Sequence, residues 1–287
     1  MKDLSTQIAE FSLRRTCDKE KLPSGLPSFD LVVGGIAKGE FTEVYDIESS
    51  IGKTSFALCI SKTVTNSKGI VLYFSLEQEL KRSVLEKHGI DPNYIAVCNV
   101  GNTEGIVSIT EEIKPDLVVI DSLSSVLPED VEYKYSQLRK TLRELREVTY
   151  KRAPILMLNQ SRSAINRIIT TGGEGIEQWS DLRIKLSSTG VIFKRFIPTG
   201  RNILMTMYYK NNPTEKLYVK TNLMFETGFD PSLDLLELAT SNKVIERYGS
   251  HYIFNKIDLG KSKEECTTRL RSNQELFDKV YSSLKLL

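Results

Sequence analysis

VYDIESSIGKTSF, from Val44 to Phe56, is the stretch on which the fold turns. It closes as Gly52-Lys53-Thr54, the end of the phosphate-binding pattern G-x-x-x-x-G-K-[ST], but Ile47 stands where the pattern has its first glycine. GEFTEVYDI, Gly39 to Ile47, reads as a strand running into a loop. GKTSFALCISKTVTNSKG reads as a helix ending near Gly69. A strand, a loop and a helix in that order turn backbone N–H groups and a positive helix end toward an anion. In such a loop Lys53 reaches the β and γ phosphates of a nucleotide and the Thr54 hydroxyl binds Mg2+. A bare GK[ST] is a short pattern, and the flanking strand and helix give it its weight.

Three further apolar runs extend the reading. GIVLYFSLE ends on Glu77, PDLVVIDSLSSVLPE carries Asp121, and APILMLNQ ends on Gln160. Continuous apolar runs between helical segments indicate buried parallel strands, hence an α/β sheet. Such strands deliver their last residues to one edge, where α/β proteins bind ligands. Asp121 is placed to position Mg2+ through water, Glu77 to polarise an attacking water and Gln160 to sense the γ-phosphate. Singly, each is as well explained as a loop or cap residue; together with the GKT they form a set. YSQLRKTLRELREVTYKR spaces Leu138, Leu142, Leu145 and Val148 as an amphipathic helix. SRSAINRIITTGGEGIEQW reads as a mobile loop. SDLRIKLSS, RNILMTMYYK and EKLYVKTNLMFE read as later, more exposed strands. From about Pro231 a helix, a short hairpin (ERYGSHYIFNK) and a terminal helix suggest a small C-terminal domain.

The 287 residues are 40% hydrophobic and 26% charged, which suits one large globular domain or one large and one small. A net charge of +2 neither requires nor excludes a nucleic-acid partner, so DNA affinity would need a local basic surface. Cys17, Cys59, Cys98 and Cys266 are widely spaced with no C-x-x-C pair, as free thiols in a reducing compartment would be. Two histidines, His88 and His251, lie too far apart in sequence to suggest zinc. MKDLSTQIAEFSLRR lacks the apolar core of a signal peptide, and no run approaches the roughly 18 apolar residues that span a bilayer. The expectation is a cytoplasmic protein with no membrane partner.

Several ordered motifs resemble the RecA family of recombinases over nearly the whole chain. SGLPSFDLVVGGIAKGEFTEVYDIESSIGKTSFAL is similar to the family's phosphate-loop region, including Glu48-Ser49-Ser50 before the GKT. YFSLEQE sits where the family carries its catalytic glutamate. LVVIDSLSSVLP resembles its Walker B, and MLNQSR its Asn-Gln-x-Arg. TTGGEGIEQWSDLRIKL is similar to the end of its second DNA-binding loop, and LDLLELATSNKVIERYGSHYIFN to the start of its C-terminal domain.

The resemblance implies a RecA-type P-loop core, a mostly parallel twisted sheet flanked by helices, with a small α+β C-terminal domain. Its divisions are an N-terminal assembly segment, 1–22, an ATPase core, 23–230, and the C-terminal domain, 231–287. It implies ATP and Mg2+, held by Glu48, Ser49, Ser50, Gly52, Lys53, Thr54 and Ser55, with Thr54 and Asp121 at the metal and Glu77, Lys53 and Gln160 in catalysis. Lys210 would reach a neighbouring subunit's nucleotide. Arg162 and Arg167, with Gly172 and Gly173, would contact single-stranded DNA, and Ile165, Ile168 or Ile169 would insert between bases. Composition alone makes that segment a solvated loop with incidental charge. The sole tryptophan, Trp179, suits a core or interface role better than base stacking.

The chain also departs from the family. Aligned on Glu48-Ser49-Ser50, Asp46 replaces the first glycine and Ile51 is an extra residue; aligned from Lys53, Ile47 replaces it. Either way the chain loses a residue that permits close backbone approach to phosphate. An Asp46 carboxylate facing a phosphate at about 4 Å would repel it by on the order of 4 kcal/mol per charge pair. Val84 aligns with the adenine-stacking tyrosine, Asn212 with a second interface lysine, and both DNA loops are short. One reading is therefore a DNA-dependent ATPase and recombinase that forms filaments on single-stranded DNA. Another is a RecA-like DNA-binding or regulatory protein with weak or no hydrolysis, acting beside another recombinase. A third, a hexameric helicase motor, is disfavoured by the RecA-like C-terminal region.

Overall fold

The computed structural model describes residues 19–286 except Ser49, Gln78, 127–130 and 165–166; for 131–136, 162–164, 167 and 213 it describes the backbone alone. Most of the expected assembly segment lies outside the described residues. Its last two form β1 (Lys21–Leu22), followed by α1 (Pro27–Val33) and β2 (Ile36–Ala37), which pairs antiparallel with β1. Pro27 opens α1, where its missing N–H is harmless, and Gly34 closes it in the left-handed region.

The central strand is β3 (Phe41–Asp46), every residue of which is buried. It leads through the quoted loop into α2 (Lys53–Asn66). Strands and helices then alternate as β4 (Val71–Ser75), α3 (Arg82–Lys87), β5 (Ile95–Cys98), α4 (Thr103–Ile113), β6 (Leu117–Asp121), α5 (Val131–Thr149) and β7 (Ile155–Ala164). Next come β8 (Arg167–Thr170), α6 (Gly173–Trp179), β9 (Leu182–Lys194), β10 (Ile197–Tyr209), β11 (Asn212–Met224) and β12 (Gly228–Phe229). The main sheet runs β12-β11-β10-β9-β3-β7-β6-β4-β5. From β9 to β5 all neighbours are parallel, and β9 through β12 form an antiparallel meander.

Side chains that alternate across the strands divide between two apolar layers. Val44, Leu156 and Leu158 pack toward α1 and α2 with Phe29, Phe56 and Ile60. Phe41, Ile155 and Met157 pack toward α4 and α5 with Ile106, Leu138, Leu142 and Leu145. Trp179 packs edge-on against Phe41, with the Arg146 guanidinium over both rings, a structural post as its type suggests. Cys59, Cys98 and Cys266 are free thiols.

Three expectations need correction. Among the described residues, the segment read as a mobile loop after Gln160 is largely strand and helix: β7 runs on to Ala164, pairs antiparallel with β8, and α6 follows. Ile168, Ile169 and Thr170 favour extended pairing, which outweighs the polar composition that suggested a loop. PEDVEYKYSQ, read as a short first DNA loop between Asp121 and Gln160, is helical from Val131, and 128–130 lie outside the described residues. The C-terminal region has α7 (Pro231–Ser241), a three-stranded sheet of β13 (Glu246–Tyr248), β14 (His251–Phe254) and β15 (Ile257–Gly260), and two helices instead of one, α8 (Lys263–Ser272) and α9 (Gln274–Lys285). Asn273 divides them: its backbone is extended, and its side chain accepts the Leu276 N–H at 3.0 Å, capping α9.

Asp234, on α7, ties this region to α1 and β11. Buried, it accepts Ser28 N–H at 2.7 Å, Ser28 Oγ–H at 2.8 Å and Thr221 Oγ1–H at 2.7 Å. Burial pushes its carboxyl up to about 6 despite those donors. A carboxyl whose folded-state pKa is raised stabilises most when protonated, and that contribution is lost as pH rises through about 6. Denaturant titrations between pH 4 and 7 should show the wild type losing more stability with rising pH than Asp234→Asn; parallel profiles would contradict this coupling.

Candidate functional site

The C-terminal ends of β3, β4, β6 and β7 meet the start of α2 around a cavity of about 700 Å3, within the range of about 300–1,000 Å3 typical of ligand sites. Asp46, Ser50, Gly52, Lys53, Thr54, Ser55, Glu77, Asp121 and Gln160 all line it. Gly52 precedes α2 with φ 108°, and a Cβ there would stand 3.1 Å from Leu223 and 3.2 Å from the Phe229 ring. Only glycine lets the loop turn into the helix so close to β11 and β12.

Thr54 Oγ1–H donates to Asp121 Oδ2 at 3.0 Å, and the Tyr73 hydroxyl donates to the same oxygen at 2.7 Å. Burial pushes the Asp121 carboxyl up, with the two hydroxyls and Lys53 pulling it back. Tyr73 is itself pushed up by burial and by the Asp121 charge, so its hydroxyl remains a donor. Gln160 Nε2–H donates to Glu77 Oε1 at 2.7 Å, as do Ser124 Oγ–H at 3.1 Å and Ser122 Oγ–H. Among the described residues Oε2 of Glu77 accepts no hydrogen bond. Gln160 also begins the β7–β8 hairpin: its carbonyl accepts Thr171 N–H at 3.0 Å, so the cavity and the hairpin share one residue.

The loop answers the question of its missing glycine. Ile51 is 1% exposed and packs in the core layer with Phe56 and Phe229, away from the cavity. Asp46 stays on the cavity wall, its carboxylate 2.5 Å from the Lys53 ammonium. Burial raises the Asp46 carboxyl, and Lys53 holds it back.

Other expected residues lie elsewhere. Glu48 pairs with Arg201 at 3.4 Å outside the cavity wall, and Ser49 is outside the described residues. Lys210 is at the opposite sheet edge, where its N–H meets the Asp181 carbonyl at 3.0 Å beside the start of β9, too far along the strand to serve this cavity. Arg162 and Arg167 lie on the paired strands β7 and β8, with only their backbones described. Gly172 and Gly173, φ 90° and 56°, shape the entry into α6.

Sequence reasoning passed over Tyr73, Ser122, Ser124 and Phe225. Tyr73 was hidden in an apolar run and the serines in a loop, although a tyrosine one strand from an acid is a readable donor. Phe225, 52% exposed at the end of β11, lines the cavity with Leu223, Met224 and Val84.

Among the described residues no group of three or more His, Cys, Asp or Glu side chains is placed to hold a metal unaided. Thr54 and Asp121 still suit Mg2+, which usually takes one or two protein ligands and completes its shell with water and phosphate. No described helix is long and apolar enough to cross a membrane.

A strand, phosphate-type loop and helix at the centre of a mostly parallel sheet, with acids on the neighbouring strand ends, define a P-loop α/β protein. Residues 6–230 match the RecA N-terminal domain and 233–286 the RecA C-terminal domain, and the chain belongs to the RecA family. It is similar to Protein RecA of Malacoplasma penetrans, 28% identical over 94% of this chain and 88% of that protein. It is also similar to Protein RecA of Aquifex aeolicus, 25% identical over 91% and 82%, and of Ureaplasma parvum, 26% identical over 86% and 80%.

Gly52→Ala should lower folding stability by about 2 kcal/mol through backbone strain and crowding against Phe229, measured by denaturant unfolding. A change within about 0.5 kcal/mol would show that the loop tolerates a side chain there.

Proposed function

We propose that this chain is an ATP-dependent recombinase of RecA type, which binds single-stranded DNA as a filament and promotes homologous pairing and strand exchange. The observation that carries this reading is the meeting of Lys53, Thr54, Asp121, Glu77 and Gln160 around one nucleotide-sized cavity in a chain of this family. Thr54 and Asp121 would hold Mg2+, which supplies charge neutralisation on the phosphates. Lys53 binds the β and γ phosphates. Phe225 and Val84 offer the base an aromatic and an aliphatic face, so Phe225 takes over the stacking role that Val84 cannot fill.

Glu77 orients the attacking water through Oε2 while Gln160, Ser122 and Ser124 fix Oε1. Gln160 couples that carboxylate to the β7–β8 hairpin, where Arg162 and Arg167 contact the DNA backbone. Lys210, on the far edge of the sheet, reaches the cavity of the next subunit. Residues 1–22 serve as the assembly segment, 23–230 as the ATPase core and 231–287 as the C-terminal domain, in a cytoplasmic protein.

One observation favours a second reading, a DNA-binding or regulatory RecA relative with weak hydrolysis that joins another recombinase's filament: the Asp46–Lys53 ion pair occupies the phosphate lysine. An ATPase assay with and without single-stranded DNA separates the two. Hydrolysis stimulated by DNA and abolished by Lys53→Ala supports the recombinase; equal rates in wild type and Lys53→Ala, with no stimulation, contradict it. Glu77→Gln should keep nucleotide binding and lose about 100-fold or more of the hydrolysis rate. Phe225→Ala should weaken nucleotide binding roughly fivefold, the loss of about 1 kcal/mol of stacking, as read by calorimetry.

A further inference from the structure

Asp46 ends β3 on the cavity wall and is 3% exposed. Its carboxylate pairs with the Lys53 ammonium at 2.5 Å. An ammonium at a helix start is the kind of donor that a phosphate-binding loop offers a phosphate. Ile51, the extra residue, sends its side chain into the core, while Asp46 stays on the cavity wall beside Lys53. The loop thus satisfies itself with an anion of its own.

We infer that Asp46 is a resident competitor for phosphate: the Asp46–Lys53 ion pair and a nucleoside di- or triphosphate in the cavity exclude one another. The inference rests on the nucleotide reading above and deepens it. With the pair closed, the lysine charge is neutralised and an incoming phosphate meets a carboxylate at the loop. With the pair open, Lys53 is free and the remaining Gly52-Lys53-Thr54 half of the loop is of ordinary form. The pair therefore sets a threshold for nucleotide occupancy that a glycine at the same position would remove. Asp46 acts on binding through Lys53; it has no part in the chemical step.

The test is equilibrium binding of Mg2+–ADP and of a non-hydrolysable Mg2+–ATP analogue to the full chain, by calorimetry. Wild type is compared with Asp46→Asn, Asp46→Gly, Asp46→Glu and Lys53→Ala. Asp46→Asn and Asp46→Gly should bind at least tenfold tighter than wild type, Asp46→Glu should not, and Lys53→Ala should lose binding. The unliganded Asp46→Asn should melt below wild type, because Lys53 loses its partner, and should gain more in melting temperature on adding nucleotide. Should Asp46→Asn, folded by circular dichroism, bind no tighter while Lys53→Ala still abolishes binding, the competitor is overturned and the nucleotide site stands. If no protein in the set binds millimolar nucleotide, the nucleotide reading falls and takes the inference with it.

Discussion

A loop of six residues, from Ile47 to Gly52, must carry the chain from the buried end of the central strand to the start of a helix packed beneath the same sheet. Space is the constraint. Ile51 is swallowed by the core, and Gly52 passes within reach of Leu223 and Phe229. Lys53 and Thr54 then emerge at the sheet edge, on the cavity wall. The parallel order β9-β3-β7-β6-β4 then brings the ends of β4, β6 and β7 to that edge. Glu77, Asp121 and Gln160 lie along the cavity because their strands are parallel, and the flanking apolar layers keep those strands in place.

The polar groups at that edge hold one another. Asp121 accepts from Thr54 and Tyr73, Glu77 accepts from Gln160 and two serines, and Asp46 meets Lys53. Buried polar groups without partners cost about 1–3 kcal/mol each, so the hydrogen bonds to Asp121 and Glu77 keep these carboxylates satisfied in the folded chain. The ion pair is the unusual member. It stabilises the ligand-free loop and opposes the ligand, so stability and binding pull in opposite directions at Asp46.

Much of this was legible in the sequence because continuous apolar runs leave few choices: Val71–Ser75, Leu117–Asp121 and Ile155–Gln160 could be placed as parallel strands, and their final residues followed. The antiparallel meander was less legible. Exposure alternates irregularly along β9 and β10, and their tips and the turn between them carry exposed Phe193, Phe196 and Ile197, which composition alone would bury. The hairpin after Gln160 was misread because polar residues there are paired by backbone hydrogen bonds, which leave no mark in hydropathy. Asp46 was visible as an acid in a glycine's place. That it turns onto Lys53, and that Ile51 turns inward to permit it, depends on packing against β11 and β12, far along the chain.

A structure of the chain with Mg2+ and a non-hydrolysable ATP analogue tests the central claim most directly. The account predicts the terminal phosphates within hydrogen-bond distance of Lys53 Nζ, the metal between Thr54 Oγ1 and Asp121, and the Asp46 carboxylate no longer on Lys53. A nucleotide bound elsewhere, with the Asp46–Lys53 contact intact, would contradict it.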